Sequence, residues 1–213
     1  MDPLTQKVQK EYQKLASGYD EDWHGYLKAT HQPALELLVP KDSDRILDAS
    51  AGTGIFAKYI RLLANPELTL IDISDEMLAI AQKELRETDR VIIKRMDVHS
   101  LDLPLDYFNK IITISSFHFY KDPERVINEF KKVLTQNGQI IIIDWDSEFW
   151  YFKIFLKVLK FTGRPLAKTF TLQEMIILLK EHGFSIVQKR RWNYWLWPLM
   201  GIKAVRRTKP ADQ

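Results

Sequence analysis

A chain of 213 residues is long enough for one well-buried domain and short for two, and 46% hydrophobic with 28% charged residues is a globular composition rather than a disordered one. The chain has no apolar run of spanning length, no apolar core near its start of the kind a secretory signal needs, and no cysteine, which excludes disulfides, thiolate zinc sites and cysteine nucleophiles and suits a reducing cytoplasm, the location expected here. The formal charge of +3 is mild and gathers in 188–192 and 203–209, which read as a solvated strand edge and tail; a whole-domain basic footprint is missing and no DNA partner is expected.

In chain order, "RILDAS" (45–50) reads as a short buried strand, followed by a helix near 54–64 and a second strand at 68–73. Ser74 caps the next helix, with carboxylates on its first turn where free N–H groups favour them. Further strands are expected at 90–98, 109–116 and 138–145. Asp122 and Pro123 open the helix between the last two, and Asn137-Gly138 closes it. A capping box from Thr171 to Glu174 starts a helix that ends at His182-Gly183. The β-like runs 184–193 and 199–206 leave no room for a helix between them, so they must pair antiparallel. This alternation predicts an α/β fold with a doubly wound, mostly parallel sheet and an antiparallel C-terminal strand pair, in a single domain over 1–213.

In such a sheet ligands sit beyond the carboxyl ends of the strands, which directs attention to Asp48–Gly54, Asp72, Asp97, Ser115–His118 and Asp144. Gly52 and Gly54 permit a tight turn and close ligand approach at a helix N-terminus. Read from Gly52 the loop is G-x-G-x-x-A, and Asp72 stands twenty residues on, where a ribose-binding carboxylate belongs. Asp48 argues against a dinucleotide. A carboxylate inside a loop facing pyrophosphate would cost several kcal/mol, roughly, on Coulomb grounds, whereas a cationic ligand makes sense of it.

The segments "ILDASAGTGIFAKYI", "LIDISDEML", "RMDV", "ITISSFHFYKDPERVINEFKKVLTQNGQIIIIDW" and "FTLQEMIILLKEHGF", in that order, resemble class I S-adenosylmethionine-dependent methyltransferases, within them the small-molecule group of the ubiquinone and menaquinone enzymes. The resemblance covers 45–145 strongly and the flanks loosely. It implies a Rossmann-like seven-stranded fold, S-adenosyl-L-methionine as cofactor and a methyl acceptor that is a small molecule. It places Asp48, Ser50, Gly52 and Gly54 at the methionine part of the donor and Asp72 at the ribose hydroxyls. Ile73 and Met77 fall beside the adenine or ribose, Asp97 and Val98 at the adenine, and Ser115 beside the reacting methyl. Tyr19, with His24, corresponds to an N-terminal lid segment; residues 1–40 are expected to form lid helices and 146–170 a substrate-lid insertion. Ser50 departs from the family, which has glycine there. A positive φ would penalise serine by about 1 kcal/mol, while a negative φ would leave the hydroxyl free to add a hydrogen bond.

Methyl transfer from a sulfonium requires alignment and exclusion of water, with a base where the nucleophile carries a proton. His118, in "SSFHFY", is the candidate base; its structural reading is a histidine packed between Phe117 and Phe119. Asp144 and Asp146 are second candidates, with a capped turn as their structural reading. No metal cluster of the catechol type is evident, and the Pro-Pro motif of nucleobase amine methyltransferases is missing after the fourth strand. In 149–165, Lys153, Lys157 and Lys160 make a basic stripe on a helix otherwise rich in aromatic and aliphatic residues. That helix suits either the wall of an apolar pocket or a peripheral contact with an anionic membrane. The reading is a methyltransferase for a small, hydrophobic, quinone-like or aromatic acceptor. An RNA or protein methyltransferase, or a catalytically silent donor-binding subunit, are the alternatives.

Overall fold

The computed structural model describes residues 2–85 and 90–207. Its strands are β1 (Arg45–Ala49), β2 (Glu67–Asp72), β3 (Val91–Arg95), β4 (Phe108–Ile114), β5 (Leu134–Trp145), β6 (Phe184–Tyr194) and β7 (Trp197–Arg206). Among the described residues they form one seven-stranded sheet in the order β3-β2-β1-β4-β5-β7-β6. β1 to β5 pair in parallel, and β7 runs antiparallel between β5 and β6. Crossing from the β3 edge back to β4, beside β1, makes a switch point at which the carboxyl ends of β1 and β4 diverge and leave a cleft.

Helices cover both faces. Before β1 come α1 (Pro3–Leu15), the short α2 (Tyr19–Asp22) and α3 (His24–Leu38); α4 (Ile55–Leu63) and α5 (Asp75–Leu85) follow β1 and β2. Then come α6 (Pro123–Val133), α7 (Trp150–Phe161) and α8 (Leu172–Glu181). Alternation along β5 shows why the strands read as continuous apolar runs. Ile140 and Ile142 join the core of Phe130 (α6) and Met175 (α8), while Ile141 and Ile143 join that of Leu37 (α3) and Ile60 (α4). The predicted caps form: the Ser74 hydroxyl accepts from Met77 N–H, Asp122 accepts from Arg125 N–H, and Thr171 and Glu174 make the capping box.

Several element boundaries differ from the sequence reading. β3 stops at Arg95, so Asp97 and Val98 lie in the following loop, and Ser115 lies just past β4. α6 ends at Val133 rather than at Asn137-Gly138. Leu134 is already extended and paired with Phe108; both are fully buried, and their packing pulls the chain into the sheet before the glycine is reached. Asn137 adopts φ 59° within the irregularity that restores the register at Lys110. The segment carrying α7 is closed at its base by a bridge between Asp146 and Phe170.

The amino-terminal rim of the sheet is held by buried charges. Lys110 Nζ donates to Asp44 Oδ2 at 2.6 Å and to the Val39 carbonyl at 2.8 Å, at the left-handed residue that ends α3. Asp44 also accepts from Asn109 Nδ2 and Lys41 N–H. Removing one member of such a pair strands the other in low dielectric. Lys110→Met is therefore expected to cost about 3–5 kcal/mol of stability by chemical denaturation, although methionine fills the same space; a loss below about 1 kcal/mol would contradict the role assigned to the pair.

Candidate active site

The loop leaving β1 turns through left-handed conformations at Ser50 (φ 70°), Gly52 (φ 56°) and Gly54 (φ 74°). Ser50 and Ala51 both donate their N–H groups to the Ile71 carbonyl, anchoring the turn to β2. Gly52 is open: no described heavy atom comes within 4 Å of where its Cβ would stand, leaving room for a ligand against the backbone. Gly54 is crowded, because a Cβ there would meet Leu85 and Ala81 of α5 at about 3 Å. The positive φ at Ser50 means the serine is strained. In return its Oγ lies 2.9 Å from the Tyr120 hydroxyl, itself 2.9 Å from Thr113 Oγ1.

Asp48 is 2% exposed, and its Oδ2 has no hydrogen-bond partner among the described residues. Burial, with Asp72 nearby, pushes its carboxyl up to about 7. Burial raises Asp72 as well, against the N–H groups of Ser74 and Gly52, which bond its two oxygens at 2.9 Å. A buried, partnerless carboxylate beside a second one is a site prepared for a cation.

One cleft is lined by Tyr19, Asp48, Ser50, Gly52, Asp72, Ile73, Met77, Asp97, Val98 and Ser115, so the structure gathers every candidate donor residue except Gly54, which turns inward. Asp97 accepts from the ring (2.7 Å) and the N–H (2.9 Å) of His99, and the ring's hydrogen bond holds its carboxyl below the usual range. The cleft also uses residues that the sequence did not reveal: Thr5, Val8 and Tyr12 from α1, Leu27 and His31 from α3, and His99, Phe119 and Tyr120. His31 is buried against Phe56 and Tyr59, and burial pushes it down to about 4, which keeps it neutral. α1 and α2 are tied over the cleft by Thr53 Oγ1 to Asp20 Oδ1 (2.7 Å) and by Gln13 to Glu76.

A second, aromatic cavity adjoins the first and shares Tyr12, Tyr19, Ser115 and Phe119 with it. Trp23, Tyr26, Trp145, Phe155, Leu159 and Trp197 line most of its remainder with His118, and the ion pair of Glu11 with Arg164 also borders it. Tyr26 lines the aromatic cavity and reaches a residue shared with the cleft: its hydroxyl accepts from Trp145 Nε1 at 2.8 Å and lies 2.8 Å from Ser115 Oγ. Ser115, like Ser50, has positive φ (52°). Burial pushes the Tyr19 phenol up to about 12 and raises that of Tyr26, so both stay protonated at neutral pH.

His118 is buried between Phe119 and Trp145, with ring centroids at 4.0 and 3.8 Å, rather than between Phe117 and Phe119. Phe117 turns into the core against Tyr120 and Phe170. His118 Nδ1 lies 2.6 Å from Asp144 Oδ1 and its backbone N–H donates to Oδ2 at 3.1 Å, while Nε2 has no partner among the described residues. A carboxylate at Asp144 can only accept, which puts a proton on Nδ1; in the neutral ring the lone pair then belongs to Nε2. The Asp144 carboxylate is engaged by that ring and by the N–H of Trp145, so it can act only through the imidazole. Asp146 is not a base. It is fully buried, accepts from Glu148 and Leu172 N–H, and pairs with Arg191 Nε at 2.5 Å, which fixes the base of the α7 segment. His24 is exposed and lines neither cavity.

Two measurements test this geometry. Ser50→Ala keeps the left-handed strain and removes the bond to Tyr120, whereas Ser50→Gly removes both, so the glycine variant should melt higher, by about 1 kcal/mol. Equal stability would mean the strain is absent. Asp48 has a folded pKa of about 7 against 3.8 for a free carboxyl, so the folded chain holds the extra proton between these values. The Asp48 contribution to the stability of the ligand-free protein is full below pH ~4 and is lost as pH rises through ~7, by roughly 1 kcal/mol per unit at its steepest. Asp48→Asn should flatten that decline and unfold at higher temperature than wild type at pH 8.

A family model described as a methyltransferase domain matches residues 47–142. The demethylmenaquinone methyltransferase of Thermotoga maritima is 27% identical over 144 residues, 67% of this chain and 58% of that enzyme, so the match spans little over half of that relative. An uncharacterized protein of Methanocaldococcus jannaschii is 30% identical over 181 residues, covering 83% of this chain and 82% of that one. In fold, a crystal structure titled as an S-adenosylmethionine-dependent methyltransferase and possible histamine N-methyltransferase, also from T. maritima, superposes with a TM-score of 0.74 at 19% identity, over 92% of this chain and 98% of that one. The cofactor that these findings indicate is S-adenosylmethionine, and the partnerless Asp48 carboxylate and the open Gly52 backbone fit a cationic donor. The chain belongs to the class I S-adenosylmethionine-dependent methyltransferases, resembling those of quinone biosynthesis.

Proposed function

We propose that this methyltransferase acts on a small, apolar, ring-bearing acceptor of the quinol or phenol type, held in the aromatic cavity with its reacting atom toward the donor cleft. The observation that carries this reading is His118: a buried imidazole in the wall of that cavity, oriented by Asp144, with a free Nε2. Asp48, Ser50, Gly52, Asp72, Ile73, Met77, Asp97, Val98 and Ser115 would hold the donor, and Gly54 would shape the loop. The donor supplies a methyl group already activated on sulfonium, so the chain's own work is alignment, exclusion of water and removal of a proton. Tyr19 and the rest of residues 1–40 act as the lid, which the Thr53–Asp20 bond supports. The 146–170 segment supplies one wall of the acceptor cavity through Phe155 and Leu159. His118 accepts the acceptor's proton at Nε2, and Asp144 is the positioning residue that holds the tautomer and stabilises the imidazolium.

The relative named for demethylmenaquinone favours a quinone-type acceptor. Nucleic acid is disfavoured because the basic C-terminal strands spend their charge internally. Arg190 pairs with Glu36, Arg191 with Asp146 and Glu148, and Arg206 with Asp106. We place the enzyme in the cytoplasm, with the 149–165 segment meeting the membrane into which such an acceptor partitions.

Turnover with a panel of quinols and phenols tests the assignment. His118→Gln is expected to lower kcat by roughly 10²- to 10⁴-fold with donor affinity unchanged by calorimetry. Asp144→Asn should lower kcat and displace the acid limb of the pH–rate profile. Full activity of His118→Gln on every accepted substrate would remove the base from the mechanism.

A further inference from the structure

α7 presents four different surfaces as it turns. Phe152 and Leu156 are buried, and Phe155 and Leu159 line the acceptor cavity. On the outside, Trp150 (73% exposed), Ile154 (54%), Val158 (54%) and Phe161 (93%) follow one another at helical spacing. Lys153 and Lys157 are exposed along the flank of that stripe, and the helix contains no acidic residue. The side chain of Lys160 lies outside the described residues. A row of large apolar side chains in water, one edge lined by lysines, is costly on a surface that meets only solvent.

A second exposed apolar pair stands at the same end of the molecule. The turn between β6 and β7 puts Trp195 at 86% exposure and Leu196 at 78%. Trp195 is held at φ 54°, a left-handed conformation that a large side chain adopts at a cost. Trp197, two residues on, packs against Phe152 and Phe155 of α7, which ties the hairpin tip to the helix beside the cavity.

We infer that α7 and the Trp195-Leu196 tip form a docking face for an anionic lipid surface. The helix would lie in the interface plane with Trp150, Ile154, Val158 and Phe161 among the acyl chains and the lysines at the headgroups. Trp at the polar boundary and cations beside the apolar stripe match an anionic bilayer in both depth and charge. A spanning mode does not compete, since no helix among the described residues is long and apolar enough to cross a membrane. The inference rests on the reading of an apolar acceptor. The helix that touches lipid with one face walls the acceptor cavity with another, so such an acceptor would pass from bilayer to cavity along Phe155 and Leu159 without crossing water.

Co-sedimentation of the full chain with phosphatidylcholine vesicles, with and without phosphatidylglycerol, tests this without donor or acceptor present. Wild type should bind the anionic vesicles. Lys153→Gln/Lys157→Gln should weaken that binding roughly 25-fold, at about fivefold per lysine. Ile154→Ser/Phe161→Ser should weaken it at least about tenfold. Calorimetric affinity for S-adenosylmethionine, unchanged in both variants, would show that they fold. Wild type that ignores anionic vesicles, or binding that neither pair of substitutions alters, overturns the inference. So does a dimer in sedimentation velocity that Ile154→Ser/Phe161→Ser splits, because the face would then belong to a second copy. Failure of His118→Gln to slow turnover would count against the proposed chemistry alone and leave the vesicle result standing.

Discussion

The site is organised by a carboxyl group, Asp48, that the fold buries without giving it a counter-charge. Asp48, next to last in β1, sits inside the sheet between β2 and β4, and its side chain is buried at the floor of the cleft. Around it the chain makes successive left-handed turns, and Asp72 brings a second carboxylate close by. None of these features stabilises the ligand-free chain. Buried like charges and non-glycine residues at positive φ persist only where the surrounding structure over-determines them. Here that structure is the parallel sheet and the two N–H groups of the loop bound to Ile71. The proposed cationic donor would convert the liability into affinity, because the carboxyl has already been desolvated when it arrives.

The second organising feature is the partition between the two cavities. The residues at it and behind it come from distant parts of the chain: Tyr12 from α1 and Tyr19 from α2 face both cavities, with Tyr26 from α3, Ser115 after β4 and Trp145 at the end of β5. Tyr26 joins the last two by hydrogen bonds and stays protonated because it is buried. The result is a wall of rings broken by a few hydroxyls, suited to the water exclusion that transfer of a reactive methyl demands.

The strands, their pairing direction and the loop after β1 were legible in the sequence, because each depends on local periodicity or on spacing along the chain. What lay hidden depended on contacts across the fold. The φ of Ser50 could not be decided without Tyr120, whose hydroxyl reaches the serine from seventy residues away. Tyr26 and His31 sit in a helical stretch where they look like ordinary core residues; only the packing of α3 over the carboxyl ends of the strands turns them toward the site. Asn137-Gly138 carries a sound helix-stop signal, yet the burial of Leu134 against the sheet overrode it. Asp144 and Asp146 are indistinguishable by sequence. Strand alternation would put both on one face; what separates them is the end of β5 at Trp145, which leaves Asp144 in the strand beside an imidazole and turns Asp146, just past it, to the Arg191 guanidinium.

The buried Lys110–Asp44 pair has a further meaning when set against its position. It clamps α3, β1 and β4 at the rim opposite the one that holds the ligand cavities. Rigidity and reactivity are thus anchored at the two ends of the same strands, separated by a layer of fully buried Ile and Leu residues. Substitutions at sites this far apart, with no shared partners, combine additively. The wall of the proposed acceptor cavity can consequently be remodelled residue by residue while the foundation beneath it stays intact. That spatial separation gives a single scaffold latitude to change its substrate without renegotiating its fold.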